Sequence, residues 1–171
     1  GTPVGKKAEE YLEEGHLVPD DIVWELFEER LTCDDCGEGF ILDGFPRTMP
    51  QAERLHAWLE DNNVQLDVAV NLQTPDEEIV ERLTSRRYCP KCGAIYNMKT
   101  HPPERNETCD HDGTRLARRA DDNEETVRER LRVYHTTTEP LLVFYDDLGL
   151  LKTIDCSRLT PEDIHERVRE A

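Results

Sequence analysis

The sequence predicts an α/β chain: a parallel sheet wrapped by helices, carrying a small metal-bearing lobe as an insert. Three observations predict it. Short apolar runs at Gly39–Asp43, Asp67–Leu72 and Leu150–Asp155 alternate with stretches of helical periodicity, the pattern of parallel strands joined by right-handed crossovers. Cys89 and Cys92 form a C-x2-C pair, and Cys109-Asp110-His111-Asp112 supplies a second pair of candidate ligands. The two pairs flank a short β-like stretch, Ala94-Ile95-Tyr96-Asn97, as in lobes that hold tetrahedral zinc.

Composition bounds the partners. The 171 residues suit one domain with one insert. A net charge of −17, from 38 acids against 21 bases, argues against general nucleic-acid or membrane-surface binding. Excess acid with little lysine suits a chain kept soluble at high salt, where screening quiets self-repulsion. No apolar run nears the length of a membrane span and no signal-peptide pattern occurs. Four of the six cysteines fall in two C-x2-C pairs, which points to metal in a reducing, cytoplasmic setting.

The elements follow in order. Residues 1–14 read as a helix entered through Pro3 and stopped by Gly15. His16-Leu17-Val18-Pro19 is extended, because the residue before proline avoids the helical region. Asp20 or Asp21 caps a second helix with Ile22, Val23, Leu26, Phe27 and Leu31 on one face. Cys33-Asp34-Asp35-Cys36 is a further C-x2-C; 52 residues separate it from Cys89, and it reads as thiols in a turn. The strand at Gly39–Asp43 ends in an acid, followed by the tight loop Gly44-Phe45-Pro46-Arg47-Thr48 and a helix through Ala52, Leu55 and Leu59. Ligands bind at the carboxyl ends of parallel strands, where Asp43 would hold Mg2+ through water and Arg47 would clamp a phosphate.

After the strand Asp67–Leu72, Thr74-Pro75-Asp76-Glu77 reads as a capping box opening a helix with Ile79, Val80 and Leu83 inward. That helix leads through Arg82, Arg86 and Arg87 into the metal lobe. Cys89, Cys92 and Cys109 supply three ligands; the fourth is Asp112, which the even spacing favours, or His111, the commoner zinc ligand. Asp122 or Asn123 then starts a long helix containing Val127, Leu131 and Tyr134, kinked before Pro140. Thr160-Pro161 opens the terminal helix, with Ile164 and Val168 inward. Arg82, Arg86, Arg119 and Arg130 lie around the lobe and, with Arg47, suggest a polyphosphate clamp; taken singly, each suits a surface ion pair as well.

Together these residues resemble the adenylate kinases, in the long-lid form whose lid bears zinc. The resemblance spans essentially the whole chain and rests on LDGFPRT at Leu42–Thr48, PQA at Pro50–Ala52, RLTSRRYCPKCGAIY at Arg82–Tyr96 and RADDNEETVRERL at Arg119–Leu131. It implies the P-loop-type nucleoside monophosphate kinase fold, the reaction MgATP + AMP ⇌ 2 ADP, and a monomer with Mg2+ and structural Zn2+. It implies an AMP-binding helical lobe at 1–31, a core at 32–85 and 123–171, and the lid at 86–122. Arg47 and Gln51 would bind the phosphate and adenine of AMP, Gly44 would line that site, and His16, Leu17 and Val18 would pass along the base. Arg82, Ile95 and Tyr96 would contact ATP, with Arg86, Arg119 and Arg130 on the transferring phosphates. Asp43 would position Mg2+, Asp121 and Asp122 would orient the closed lid, and Cys89, Cys92, Cys109 and Asp112 would hold zinc.

Two departures stand out. Ser85 occupies the position of a hinge glycine. No G-x-x-x-x-G-K-[ST] phosphate loop occurs, and GTPVG at the start matches the family only beyond that unit and beyond its central strand. The expectation is therefore an N-terminally incomplete adenylate kinase, whose 171 residues alone are marginally folded and nearly inactive. Rival expectations are a zinc-ribbon module binding nucleic acid or a partner protein, and a kinase for another nucleoside monophosphate.

Overall fold

The computed structural model describes residues 2–13 and 18–171, in two compact units, Gly1–Pro46 and Arg47–Ala171. In the first unit, α1 (Pro3–Glu13) packs on α2 (Asp20–Leu31), with Lys7 and Glu25 paired at 3.7 Å. Trp24 and Phe27 are the buried residues of α2, and their rings gather with Phe45 at centroid distances of 4.8 to 6.4 Å. Pro19, with ψ 145°, is the last extended residue before α2, so neither aspartate caps it. A 310 turn, Asp34–Cys36, follows.

The strand expected at Gly39–Asp43 does not form. Gly39 has φ +132°, outside the extended region, no described residue pairs with the segment, and Ile41 is 95 % exposed. An apolar run becomes a strand only when a neighbour takes its N–H and C=O groups.

The second unit contains the parallel sheet, which has two strands among the described residues. β1 (Ala69–Gln73) lies in register with β4 (Leu151–Asp155), from Ala69 opposite Leu151 to Gln73 opposite Asp155. Against it, α3 (Met49–Asp61) and α6 (Pro140–Asp147) bury Ala52, Leu141 and Tyr145, with Leu66, Ala69 and Leu151 packed around them. On the opposite face Val70 and Leu72 are exposed, while Ile154, beside Leu72 in the register, is buried. α7 (Pro161–Arg169) follows β4 and contacts it, and Val168, expected inward, is exposed. No helix among the described residues is long and apolar enough to cross a membrane.

α4 (Asp76–Thr84) starts differently from its expected capping box: Pro75 is the N-cap and no side chain caps the helix. Glu77, the acid that would reach back, instead forms a bidentate pair with Arg128 of α5 (Glu124–Val133), at 2.8 and 2.9 Å. The same Thr-Pro-x-acid pattern at Thr160–Asp163 does form the box, and no described residue pairs with Asp163 as Arg128 does with Glu77. Asn123 caps α5 by accepting from Thr126 N at 2.9 Å. The kink expected before Pro140 is a π-helical turn over Tyr134–Thr138.

His135 on that turn ties it to α4: Nε2 meets Asp76 at 2.8 Å and Nδ1 meets Glu139 at 2.8 Å. The hydrogen bond to Asp76, then that to Glu139, raises the imidazole pKa above its ordinary value. A raised folded pKa means that the stabilisation is fully present below the unfolded value of about 6.5 and is lost as pH rises through the folded one. We therefore expect an NMR titration of the His135 ring to have its midpoint above about 6.5. The stability gap between the wild type and His135→Phe should narrow as pH climbs from neutral; a constant gap would assign the residue to packing alone.

Candidate functional site

The insert between β2 (Arg86–Tyr88) and α5 folds around two matching knuckles, with β3 (Ile95–Asn97) returning antiparallel to β2. In the first knuckle Cys89 N donates to Ala94 O at 2.8 Å and Gly93 N to Cys89 O at 2.9 Å. In the second, Cys109 N donates to Thr114 O at 2.8 Å and Gly113 N to Cys109 O at 2.9 Å. Gly93 and Gly113 have φ of 77° and 71°, a left-handed backbone that glycine adopts without strain. Sequence reasoning missed these glycines, although one directly follows each ligand pair.

The knuckles bring one ligand atom each of Cys89, Cys92, Cys109 and Asp112 within 4.8 Å of one another. Cys92 Sγ lies 3.6 Å from Cys109 Sγ, and Cys89 Sγ lies 3.5 and 3.6 Å from the Asp112 oxygens. A tetrahedral zinc with Zn–S of about 2.3 Å separates its sulfurs by about 3.8 Å, so the donor set fits that ion. His111 is exposed and outside the cluster.

The electrostatics suit a cation. The Thr114 amide, at 2.9 Å, and then the Thr114 hydroxyl hold the Asp112 carboxyl well below the usual carboxylate range. The Tyr96 hydroxyl and nearby amides lower the Cys109 thiol. The Ala94 amide favours the Cys92 thiolate, but desolvation and the neighbouring thiols outweigh it and push that thiol up to about 11. Gathered sulfurs cannot all ionise unless a positive ion joins them.

The neck of the insert is closed by one ion pair. Arg86, at the entry, donates through Nη2 to Asp122 Oδ1 at 2.6 Å and through Nε to Oδ2 at 3.0 Å. Asp122, at the exit, is fully buried, while the Arg86 side chain is 24 % exposed. This side-on fork uses Nε and Nη2, and no described residue takes Nη1. Beside it, Arg130 meets Asp121 at 3.3 Å, an exposed pair of small energetic weight. Arg82 binds Glu78 at 2.6 Å and Leu159 O at 3.4 Å, and Arg119 is exposed. Ser85 has φ −87°, where a side chain costs nothing, so glycine is not needed there.

Tyr96 is buried in the lid core. Its hydroxyl lies 3.5 Å from Cys109 Sγ and accepts from Asp110 N at 2.9 Å, whereas Ile95 is exposed. Arg47 N donates to Gln51 Oε1 at 2.8 Å at the start of α3, and Arg47 O accepts from Thr138 Oγ1 at 2.9 Å. In the first unit Asp43 is exposed, Gly44 has φ 71°, and Val18 is half-buried. His16 and Leu17 lie outside the described residues.

Comparison with known proteins adds an independent finding. The family model described as Adenylate kinase matches residues 1–150. An adenylate kinase of Carboxydothermus hydrogenoformans is 47 % identical over 170 residues, covering 99 % of this chain and 79 % of its own. One from Archaeoglobus fulgidus is 50 % identical over 155 residues, 91 % of this chain and 71 % of its own. One from Thermotoga neapolitana is 51 % identical over 152 residues, 89 % and 69 % respectively.

Proposed function

The chain belongs to the adenylate kinase family, phosphotransferases that interconvert MgATP plus AMP with two ADP, and we propose how its residues divide that work. Residues 1–31 form the AMP-binding lobe, 86–122 the lid, and 32–85 with 123–171 the core. Arg47 binds the AMP phosphate and Gln51 its adenine, with His16, Leu17, Val18 and Gly44 lining that site. Arg82, the Ile95 side chain and the Tyr96 backbone contact ATP. Arg86, Arg119 and Arg130 stabilise the transferring phosphoryl group. Relatives that are adenylate kinases over most of their length do not favour a zinc-ribbon binding module.

Phosphoryl transfer places growing charge on peripheral oxygens and needs little covalent help, so positioned cations and exclusion of water carry it. Asp43 offers an exposed hard oxygen that would hold, through water, the Mg2+ supplied with ATP, and the ion would offset charge on the phosphates. In the lid, Cys89, Cys92, Cys109 and Asp112 would hold zinc, which would supply structural stability to the lobe. Asp122 fixes the Arg86 fork and leaves Nη1 to meet phosphate, and Asp121 does the same more loosely for Arg130. The observation that supports this division best is the Arg86–Asp122 pair, which couples a phosphate-binding candidate to the neck of the lid. Six cysteines without a disulfide suit a cytoplasmic site of action, with a monomer handling ATP, AMP and ADP rather than nucleic acid.

Steady-state kinetics test the division. Arg47→Ala should raise KM for AMP on the order of tenfold or more while leaving KM for ATP unchanged. Arg86→Ala should lower kcat on the order of a hundredfold. Equal effects of Arg47→Ala on both substrates would remove Arg47 from the AMP phosphate.

A further inference from the structure

Cys33 and Cys36 belong neither to the lid cluster nor to the transfer reaction. They sit on the 310 turn after α2, where Cys36 N donates to Cys33 O at 3.0 Å. Cys33, the extended residue that opens the turn, and Cys36, its last residue, both reach back to adjoining carbonyls of α2: Cys33 Sγ to Glu29 O at 3.6 Å and Cys36 Sγ to Arg30 O at 3.4 Å. A hydrogen-bonded turn of this kind brings its end Cα atoms to within about 7 Å, inside or near the span a disulfide bridges. Neither thiol joins a third ligand in any cluster of the described residues, which argues against a metal here.

Arg30 singles out one sulfur. Its Nη1 donates to Cys36 Sγ at 2.9 Å and to Asp35 Oδ1 at 2.8 Å, while Nη2 meets Asp35 Oδ2 at 2.8 Å. The carboxylate anchors the guanidinium, and the guanidinium presents an N–H to sulfur, the partner a sulfur anion needs as it forms. Reagents can reach the pair, since Cys33 is exposed and Cys36 half-buried, whereas Cys156 is 1 % exposed.

We propose that Cys33 and Cys36 form a reversible dithiol–disulfide site that exchanges with low-molecular-weight disulfides, Cys36 attacking and Arg30 positioning it. Cys36 releases its proton to solvent and its sulfur attacks one sulfur of the small disulfide. A mixed disulfide forms and one small thiolate leaves, taking up a proton. Cys33 then releases its proton and attacks the Cys36 sulfur, expelling the second small thiolate, which is protonated in turn. Two protein thiols are oxidised to one disulfide as one small disulfide is reduced to two thiols, so electrons and protons balance. In reducing compartments such disulfides are transient and redox-sensing.

The test uses the whole chain with its lid metal retained, equilibrated across ratios of reduced to oxidised glutathione, acid-quenched, alkylated and peptide-mapped. The expected product is an internal Cys33–Cys36 disulfide, two hydrogens lighter and reversed by excess thiol, with Cys89, Cys92, Cys109 and Cys156 alkylated and carrying neither glutathione nor a disulfide. Cys33→Ser should stop at the mixed disulfide on Cys36, and Arg30→Met should slow its formation on the order of tenfold. The proposal fails if both thiols are alkylated at every ratio. It fails equally if Cys36→Ser gains a mixed disulfide on Cys33 as fast as Cys33→Ser gains one on Cys36. Both serine replacements are near-isosteric at accessible positions, so loss of the fold does not confuse the comparison.

Discussion

Stripping zinc from the lid with a strong chelator should unfold residues 86–122 while leaving the helix-and-sheet core intact. The lid's own core is Cys89, Tyr96, Cys109 and Leu116, with Ala94 packed on it. Burying Tyr96 and Leu116 contributes about 1.5–3 kcal/mol each, whereas ordering a backbone costs about 1–2 kcal/mol per residue. Side-chain burial therefore cannot hold the lobe, and metal binding, about 10–16 kcal/mol for structural zinc in small peptides, can. Amide hydrogen exchange should show lid protection falling by a hundredfold or more, about 3 kcal/mol, with little change at Leu55 or Leu141. Cys109→Ala should reproduce this and lose the metal. Cys156→Ala, at a buried thiol outside the cluster, should keep one metal ion per chain. Unchanged protection in metal-free protein would show that the lid folds on its own contacts.

Breaking the neck should have the second largest effect. Asp122→Ala leaves the Arg86 guanidinium partly buried without its carboxylate, a change worth about 3–5 kcal/mol. At roughly 2–4 °C per kcal/mol for a chain of this size, Tm should fall by on the order of 10 °C. The double replacement Arg86→Met with Asp122→Leu removes both charges and should recover much of that stability, because an apolar pair carries no desolvation cost. It should not recover phosphoryl transfer, since the Nη1 proposed to meet phosphate is gone with Arg86. Recovery of both would make the pair purely structural; recovery of neither would point to a wider rearrangement of the neck.

What the sequence revealed follows from how local each determinant is. Knuckle spacing pointed to Cys89, Cys92 and Cys109 and favoured Asp112 over His111, and these four side chains do gather, since such a turn is fixed by its own backbone. β1, β4 and the Asn123 cap were readable for the same reason. Gly39–Asp43 was not, because its apolar run carries no information about a ladder partner. The Thr74 capping box failed because Arg128, 51 residues away, captures Glu77, a competition invisible within a four-residue window. Trp24 and Tyr96 were underrated because burial of an aromatic depends on what folds over it. Tyr96, expected to contact ATP, has its side chain in the lid core beside Cys109. Ser85, at the position of a hinge glycine, has a right-handed backbone that any residue adopts.

The most direct measurement of the account is the nucleotide balance of the protein as its source makes it, followed by phosphorus NMR with MgATP alone and with AMP added. Transfer between two nucleotides predicts no ADP from MgATP alone and two ADP for each AMP consumed, with no inorganic phosphate released. The Arg86→Ala protein should follow the same balance about a hundredfold more slowly. ADP formed without AMP and matched by inorganic phosphate, or no AMP-dependent ADP at all, would contradict it.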